Sequence, residues 1–337
     1  MSFVSEIHTS LSRSLLKPIL IGILALTVAA CGKDDTKTKN IGFLLGVDVF
    51  KNVFEGFKNG MTEQGHFDGK NVVYHLSAAK GDRAQMKSMC EDFVAKKVDL
   101  IVTTTNGAAL ACKAAIKGHN IPMVFTVVLS PVRSGVVDNL QAPSNNITGV
   151  RNPLDEFIGK RLEFFKTMAP GARRIWLPVN TNYPTTKHFL TALRDGAKQM
   201  DLELMEQEIK STSEIIDYLG SLDTAPFDAI FIPPNPAPQS KEGYEAITNF
   251  ADMHQLPIIG NTLRQVEQGA LFSYHVDKKQ VGHQAAYLVN QVLSSKDTIP
   301  FPVINGEPDL VLNLSKIRAL GLKTDNALIS FARTIIE

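Results

Sequence analysis

The sequence has almost no net charge, because 35 lysines and arginines stand against 34 aspartates and glutamates, a formal charge of +1 over 337 residues. Residues 1–30 contain Arg13, Lys17 and Glu6, a net charge of +1, so residues 31–337 are neutral. A nucleic-acid-binding surface needs an excess of basic residues to neutralise phosphates. We therefore expect no nucleic acid among the partners of this protein.

Catalytic and metal-binding motifs are also missing. The chain contains no G-x-S-x-G elbow, no Walker A loop and no H-E-x-x-H motif. Its histidines are scattered, and none stands at metal-ligand spacing from a cysteine or carboxylate. His275 near Asp277 has the form of a general base with an orienting acid, but no nucleophile accompanies them. We expect no catalytic residue, no metal and no cofactor. The alternative is an enzyme with the same fold, which turnover of a ligand would support.

Only one apolar run is long enough to suggest a membrane role, the segment PILIGILALTVAA from Pro18 to Ala30. It is shorter than the roughly 20 residues of a relaxed membrane span and has the length of a secretory signal core. Cys31 follows two alanines, and this junction resembles a bacterial lipobox, in which the cysteine carries lipid. We expect residues 1–30 to be a lipoprotein signal peptide and residues 31–40 a flexible polar tether. An ordinary signal peptide with an incidental cysteine is the alternative.

From Ile41 onward, apolar β-branched segments alternate with amphipathic ones, which predicts parallel strands alternating with helices. The predicted strands of the first unit are Ile41–Val47, Lys70–Ala79, Val98–Thr105 and Ile121–Val128, with helices Phe50–Gly65, Asp82–Lys97 and Gly107–Gly118. The alternation restarts with strands Arg173–Asn180, Leu202–Ile209, Phe227–Pro234 and Leu256–Thr262, and helices Thr185–Asp201, Thr212–Leu222 and Lys241–Gln255. The predicted class is α/β, with two doubly wound parallel-sheet lobes joined by a hinge. Trp176, inside a strand, is predicted to lie in the core.

Cysteine is scarce, and the two cysteines besides Cys31 are Cys90 and Cys112. Both lie on predicted helices that flank the strand Val98–Thr105. In a sheet ordered 2-1-3 these two helices are neighbours on one face, which permits a disulfide in an exported protein. Two buried, unlinked thiols are the alternative.

Several motifs resemble those of ABC-transporter solute-binding lipoproteins related to the tryptophan and tyrosine binders. The segments VDLIVTTTNGAALACKAA, IPMVFTVVLSPVRSGVV, NNITGVRNP, FDAIFIPP, LPIIGNT and VLNLSKIRALGL have the order and spacing of that family. The resemblance implies the type I periplasmic binding protein fold, with three hinge strands and lobes that close around a small ligand. It implies one lobe from residues 41–149 and 276–302, and a second lobe from residues 150–275 and 303–337.

The resemblance also implies partners and a location. We expect a small-molecule ligand, an ABC permease in the inner membrane, and attachment to the periplasmic side of a bacterial membrane through the amino-terminal lipid. The sequence leaves open whether that membrane is inner or outer. We expect a monomer. A lipid-tethered sensor that presents its ligand state to a membrane receptor shares all of these features and is the alternative function.

Ligands of open parallel sheets bind beyond the carboxyl ends of the strands, so residues that follow each strand are the candidate ligand contacts. Those candidates are Asp48, Phe50, Lys51, Thr105, Asn106, Ser130, Arg151, Asn152, Asn180, Tyr183, Asn235, Asn261 and Tyr274. In the related family several of these positions often carry aspartate, whereas here only Asp48 is a carboxylate. We therefore expect a neutral or anionic ligand, or one whose amine pairs with Asp48 alone. Arg151 and Arg264 are the arginines that could lie near such a ligand. The alternative is that both face solvent or pair with surface acids.

Overall fold

The computed structural model describes residues 38–144, 146–183, 186–295 and 301–337, and only the backbone of Asp155 and His188. These residues belong to one compact unit, Thr38–Glu337. The predicted signal peptide, Cys31 and most of the tether lie outside the described residues. In the described part, no helix has the length and apolar character to cross a bilayer.

A six-stranded parallel sheet forms the first lobe. Its strands are β1 (Lys39–Leu45), β2 (Val72–Ala78), β3 (Leu100–Thr104), β4 (Met123–Val128), β5 (Ile147–Arg151) and β11 (Ile304–Asn305). They are ordered β2-β1-β3-β4-β5-β11. One face packs on α1 (Lys51–Glu63) and α10 (Lys278–Ser294), and the other packs on α2 (Arg83–Ala95) and α3 (Asn106–Ala115). This sheet therefore contains the 2-1-3 order that places α2 and α3 side by side.

The second lobe contains a seven-stranded sheet. Its strands are β6 (Arg174–Val179), β7 (Glu203–Glu208), β8 (Ala229–Phe231), β9 (Ile258–Gly260), β10 (Phe272–Val276), β12 (Pro308–Asn313) and β13 (Thr334–Ile336). The order is β7-β6-β8-β9-β10-β12-β13, and only β10 and β12 pair antiparallel. Its helices are α4 (Leu154–Met168), α5 (Thr186–Gln199), α6 (Thr212–Gly220), α7 (Pro236–Gln239), α8 (Lys241–Met253), α9 (Leu263–Glu267), α11 (Leu314–Ala319) and α12 (Asn326–Phe331).

Both faces of the second sheet are covered by apolar side chains. Helices α4, α5, α11 and α12 pack on one face, and α6, α8 and α9 pack on the other. Trp176 of β6 is fully buried, as predicted, and stacks on Phe227 with ring centroids 5.5 Å apart. Two mostly parallel sheets with helices on both faces confirm the predicted two-lobe α/β class.

Two differences from the sequence prediction have local causes. The strand predicted over Phe227–Pro234 is only Ala229–Phe231, because the prolines at its end have no N–H to donate to a neighbouring strand. Helix α4 was not predicted. It follows Pro153 and has no side-chain hydrogen bond at its N-cap, so the usual sequence signal of a helix start is missing.

Within the described residues, the chain passes between the two sheets three times, from β5 to α4, from β10 to α10 and from β11 to β12. The predicted division placed residues 303–337 in the second lobe, but Ile304–Asn305 pairs with β5 in the first sheet. In addition, Gly306 N donates to Arg151 O at 2.8 Å. The passage therefore lies after Asn305 and not after Pro302. Likewise, β5 includes Val150 and Arg151, which the division placed in the second lobe, and β10 includes Val276, which it placed in the first. The rest of the division stays a prediction.

Helix α10 leaves the second sheet and packs closely against α1 of the first lobe. At Gly56 of α1, an added Cβ would lie 1.9 Å from the carbonyl oxygen of Lys279. At Gly282 of α10, it would lie 2.0 Å from the carbonyl oxygen of Val53. Only glycine, which has no Cβ, allows the backbones of α1 and α10 to approach this closely. The contact fixes this passage firmly to the first lobe.

A disulfide joins Cys90 of α2 to Cys112 of α3, with the Cα atoms 5.0 Å apart. Both residues are fully buried. The structure thus contains the bridged alternative of the two that the sequence left open. Because α3 begins at Asn106, the bridge also ties a helix with predicted ligand contacts to its neighbour.

Candidate functional site

The carboxyl end of β3 has an unusual backbone conformation. Thr105, the N-cap of α3, has φ 78° and ψ 156°, a region that residues other than glycine rarely adopt and that costs about 1–3 kcal/mol. Its side chain accepts a 3.5 Å hydrogen bond from Ala108 N. The end of β1 lies against it, because a Cβ at Gly46 would stand 2.3 Å from Thr105 Oγ1. Strain of this kind concentrates at ligand-binding positions.

A second strained position lies on the adjacent strand. Val127 of β4 has φ 56°, and the pairing of β4 with β5 shifts register between Thr126 and Val128. A positive φ is especially unfavourable for a β-branched residue. Thr105 N donates to Thr126 O, so the two strained residues lie on hydrogen-bonded neighbours at one edge of the sheet.

Two amide side chains at this edge have buried oxygens without partners. Asn106 Oδ1 and Asn152 Oδ1 make no hydrogen bond within the described part of the chain. Asn152 N donates to Val128 O at 2.9 Å, so Asn152 follows the bulged end of β4. A buried acceptor without a donor costs about 1–3 kcal/mol. A ligand that brings N–H donors to this edge removes that cost.

The segment after β1 forms a 3₁₀ turn, Asp48–Phe50, that leads into α1. Asp48 and Lys51 are exposed, and Phe50 is half-buried. Lys278 of α10 places its Nζ 5.4 Å from the centre of the Phe50 ring and 3.4 Å from Val49 O. Burial is the main reason that the pKa of Lys278 is lowered. The sequence analysis did not single out this cation.

The guanidinium of Arg151 is already engaged. Its Nε donates to Asn305 Oδ1 at 2.6 Å, and its Nη2 pairs with Glu156 Oε1 at 2.5 Å. Arg264 donates to Gln239 O at 2.9 Å. Arg151 thus has an acid as one partner, whereas Arg264 is exposed and has a backbone carbonyl as its partner. Ser130, after β4, is half-buried, and its carbonyl accepts from Ser134 N.

In the second lobe, a compact network links the ends of β6 and β8. Asn235 is 1% exposed; its Oδ1 accepts from Asn180 N and its Nδ2 donates to Thr186 Oγ1, both at 3.0 Å. Thr186 Oγ1 in turn donates to Asn180 O. Asn235 therefore shapes the loop after β6. Tyr183 is half-buried in that loop.

Tyr274 of β10 lies with its ring in the core. The ring contacts Phe157, Phe164 and Phe331 at centroid distances of 5.1, 5.3 and 6.2 Å. Its backbone carbonyl instead accepts a 2.8 Å hydrogen bond from Arg161 Nε. The structure thus places the main chain of Tyr274, and not its ring, among the polar groups at this strand end.

Arg161 of α4, which the sequence analysis missed, is the central polar residue of the second lobe. It is 1% exposed, its Nη2 donates to Asn261 Oδ1 at 2.7 Å, and its guanidinium lies 6.0 Å from the centre of the Phe231 ring. Its third nitrogen, Nη1, is buried without a hydrogen-bond partner among the described residues. Burial lowers the pKa of Arg161 to about 10.

His275 is a half-buried group at the same strand end. Burial, followed by the positive charge of Arg161, lowers its pKa to about 4; Asp277 opposes this shift and Lys278 adds to it. Its Nδ1 lies 3.2 Å from Ser273 Oγ, and Asp309 stands opposite on β12. Across the described residues, no group of three or more side chains is arranged to hold a metal ion.

Comparisons with known proteins identify the family of this chain. The family model described as "ABC transporter substrate binding protein" matches residues 40–336. A tyrosine-binding protein of Clostridioides difficile (strain R20291) is 28% identical over 329 residues, which cover 93% of each chain.

Solved structures show the same fold. A domain from Streptococcus pneumonia in complex with L-Trp has a TM-score of 0.69 and 23% identity, covering 89% of this chain and 100% of that one. The ligand-free, open structure of a substrate binding protein with adhesive properties from Clostridium difficile has a TM-score of 0.74 and 23% identity, covering 89% and 99%. Members of this family are extracytoplasmic and bind small molecules without converting them, so the expectation of a non-enzyme is confirmed. The chain belongs to the family of ABC transporter substrate-binding proteins.

Proposed function

We propose that this protein captures an amino acid with an aromatic side chain between its two lobes and delivers it to an ABC importer. The relatives support the ligand class, because one is a tyrosine-binding protein and another was solved with L-Trp. In this proposal the lobes close around the ligand, which touches both of them only in the closed form. A ligand shifts such an equilibrium by its differential affinity for the two forms.

The observation that carries the ligand class is the pair of buried, unpartnered oxygens of Asn106 and Asn152. An ammonium group brings three N–H donors and no acceptor, which is the complement of these two oxygens. Asp48, the carboxylate that the sequence analysis considered for this task, is exposed on the 3₁₀ turn after β1. We therefore assign the ammonium to the two amides, and Phe50 and Tyr183 to the side chain of the ligand.

Calorimetric titration tests the proposal on the fragment Lys33–Glu337, which keeps the whole compact unit. The fragment, dialysed to remove carried-over ligand, is titrated with L-tyrosine, L-tryptophan and matched organic acids that lack the amine. We expect binding of at least one amino acid, and a loss of about 5- to 160-fold in Asn106→Ala and in Asn152→Ala, from the roughly 1–3 kcal/mol of a lost buried partner.

Two further variants complete the titration. Asn249→Ala on the exposed face of α8 is the matched control and should bind as the wild type does. Asp48→Ala should also keep its affinity; a large loss there would return the ammonium to Asp48. Tighter binding of the organic acids than of either amino acid would contradict the proposed ligand class.

Lipid attachment at Cys31 and the importer role are parts of the same proposal. Labelled fatty acid should enter the full-length wild type and not Cys31→Ser. Cells that lack the protein should lose high-affinity uptake of the amino acid bound in calorimetry, and Cys31→Ser should restore uptake poorly. Normal uptake without the protein would contradict the importer role and would favour the sensor alternative.

A further inference from the structure

Arg161 is a buried cation for which the described chain supplies no counter-ion. It is 1% exposed, and no described carboxylate lies within salt-bridge distance of it. Removing a guanidinium from water costs several kcal/mol unless charge and hydrogen bonds compensate. The Phe231 ring and two neutral oxygens supply only part of that compensation. The described residues therefore leave this positive charge only partly compensated, next to the candidate ligand site.

Three of the five N–H groups of the Arg161 guanidinium lack an acceptor among the described residues. A guanidinium has five N–H donors in a planar fork. One N–H on Nε and one on Nη2 form the two hydrogen bonds, to Tyr274 O and Asn261 Oδ1. The unused donors are the two on Nη1 and the second on Nη2. One N–H of Nη1 and one of Nη2 lie side by side at the end of the fork, an edge that can bind both oxygens of a carboxylate.

The two acceptors of Arg161 place its guanidinium near the carboxyl ends of the strands. Its two partners follow β9 and belong to β10, two neighbouring strands of the second sheet. Helix α4 begins directly after the first passage between the sheets, and helical side chains point toward the amino terminus of their helix, here toward that passage. Ligands of parallel sheets bind at these strand ends.

We propose that the free end of the Arg161 guanidinium binds the carboxylate of the amino-acid ligand, while Tyr274 O and Asn261 Oδ1 hold the fork in place. This inference rests on the proposed function and adds the anchor of the second lobe. The ammonium then lies at the first lobe and the carboxylate at the second, so that only the intact zwitterion bridges the two. It also assigns to Asn261, a predicted ligand contact, the task of positioning Arg161.

The test compares two ligands with three variants of the full chain, purified in mild detergent. The ligands are L-tryptophan and tryptamine, which lacks only the carboxylate, or L-tyrosine and tyramine if tyrosine binds more tightly. The wild type should prefer the amino acid by on the order of 100-fold, the loss expected when one partner of a buried charged pair is removed. Arg161→Gln should weaken binding of the amino acid by a similar factor and should change the affinity for the amine by no more than about threefold. The preference for the amino acid should therefore disappear. The difference between these changes isolates the contact between the two groups.

Control variants separate this role from a structural one. Arg161→Lys keeps the charge and should recover part of the preference, whereas Arg194→Gln, on the surface of α5 beside Glu206, should leave both affinities unchanged. Equal weakening of both ligands in Arg161→Gln would overturn the inference, because a purely structural arginine acts on both alike.

The wild-type measurement tests the inference even if Arg161→Gln fails to fold. Equal affinity of the wild type for the amino acid and for the amine also overturns the inference. If the wild type binds neither amino acid, the proposed function fails and the inference fails with it. If it binds the amino acid without preference over the amine, the inference fails alone.

Discussion

Loss of the disulfide between Cys90 and Cys112 should lower the free energy of unfolding by an amount that depends on the length of the loop it closes. The two residues are separated by 22 positions, and a closed loop of that length restrains the unfolded chain by about 3 kcal/mol. A change of that size is a large fraction of the 5–15 kcal/mol that stabilises ordinary proteins. We expect the bridge to matter for the binding edge as well, because α3 begins at Asn106.

The assay is urea unfolding of the fragment Lys33–Glu337, which contains only these two of the three cysteines. It is measured with and without reductant, for the wild type and for the Cys90→Ala/Cys112→Ala variant. Reductant should lower the wild-type free energy of unfolding by about 3 kcal/mol. It should not change the variant, and the difference between the variant and the reduced wild type measures the lost sulfur packing. Free thiols in the unreduced wild type, or equal stability with and without verified reduction, would refute the reasoning.

Other perturbations test other parts of the structure. Gly282→Ala should destabilise the fragment by about 3 kcal/mol or more, because its Cβ overlaps a backbone oxygen of α1; Gly159→Ala, a helical glycine with no neighbour within 4 Å, should stabilise it by up to about 1 kcal/mol. Equal urea midpoints would contradict the close packing. Thr105→Gly should preserve or raise the melting temperature, since it relieves a positive φ, yet weaken ligand binding through lost preorganisation; a clear fall in melting temperature would contradict strain. His275 has a folded pKa of about 4 against 6.5, so the unfolded state binds more protons between these values, and stability should fall as pH drops from about 6.5 to 4; His275→Gln should lose that slope, and an unchanged slope would contradict the shift.

The periodicity of the sequence predicted most of the architecture. Apolar β-branched segments such as Val98–Thr105 marked buried strands, and the restart at Arg173 marked the second sheet. The hinge was harder to place, because strand Ile304–Asn305 is only two residues long. Its membership in the first sheet depends on pairing with β5, a long-range contact that no local pattern encodes.

The site residues stay predictions. The sequence indicated which residues stand at strand ends, but it could not show which polar atoms are satisfied internally, as those of Asn235 are. Arg161 was missed because a charged residue on a helix usually faces solvent. The signal was available in its spacing, since Arg161 follows Leu154, Phe157 and Ile158 by seven, four and three residues, on the buried stripe of α4.

The central claim is that a small ligand closes two lobes by touching both, and solution X-ray scattering of the wild type tests it most directly. The radius of gyration is measured without ligand and with saturating amino acid, with saturation verified by calorimetry on the same sample. A hinged protein should become more compact on binding, and removal of the ligand should restore the larger radius. Identical scattering curves for the empty and the saturated protein would contradict the account.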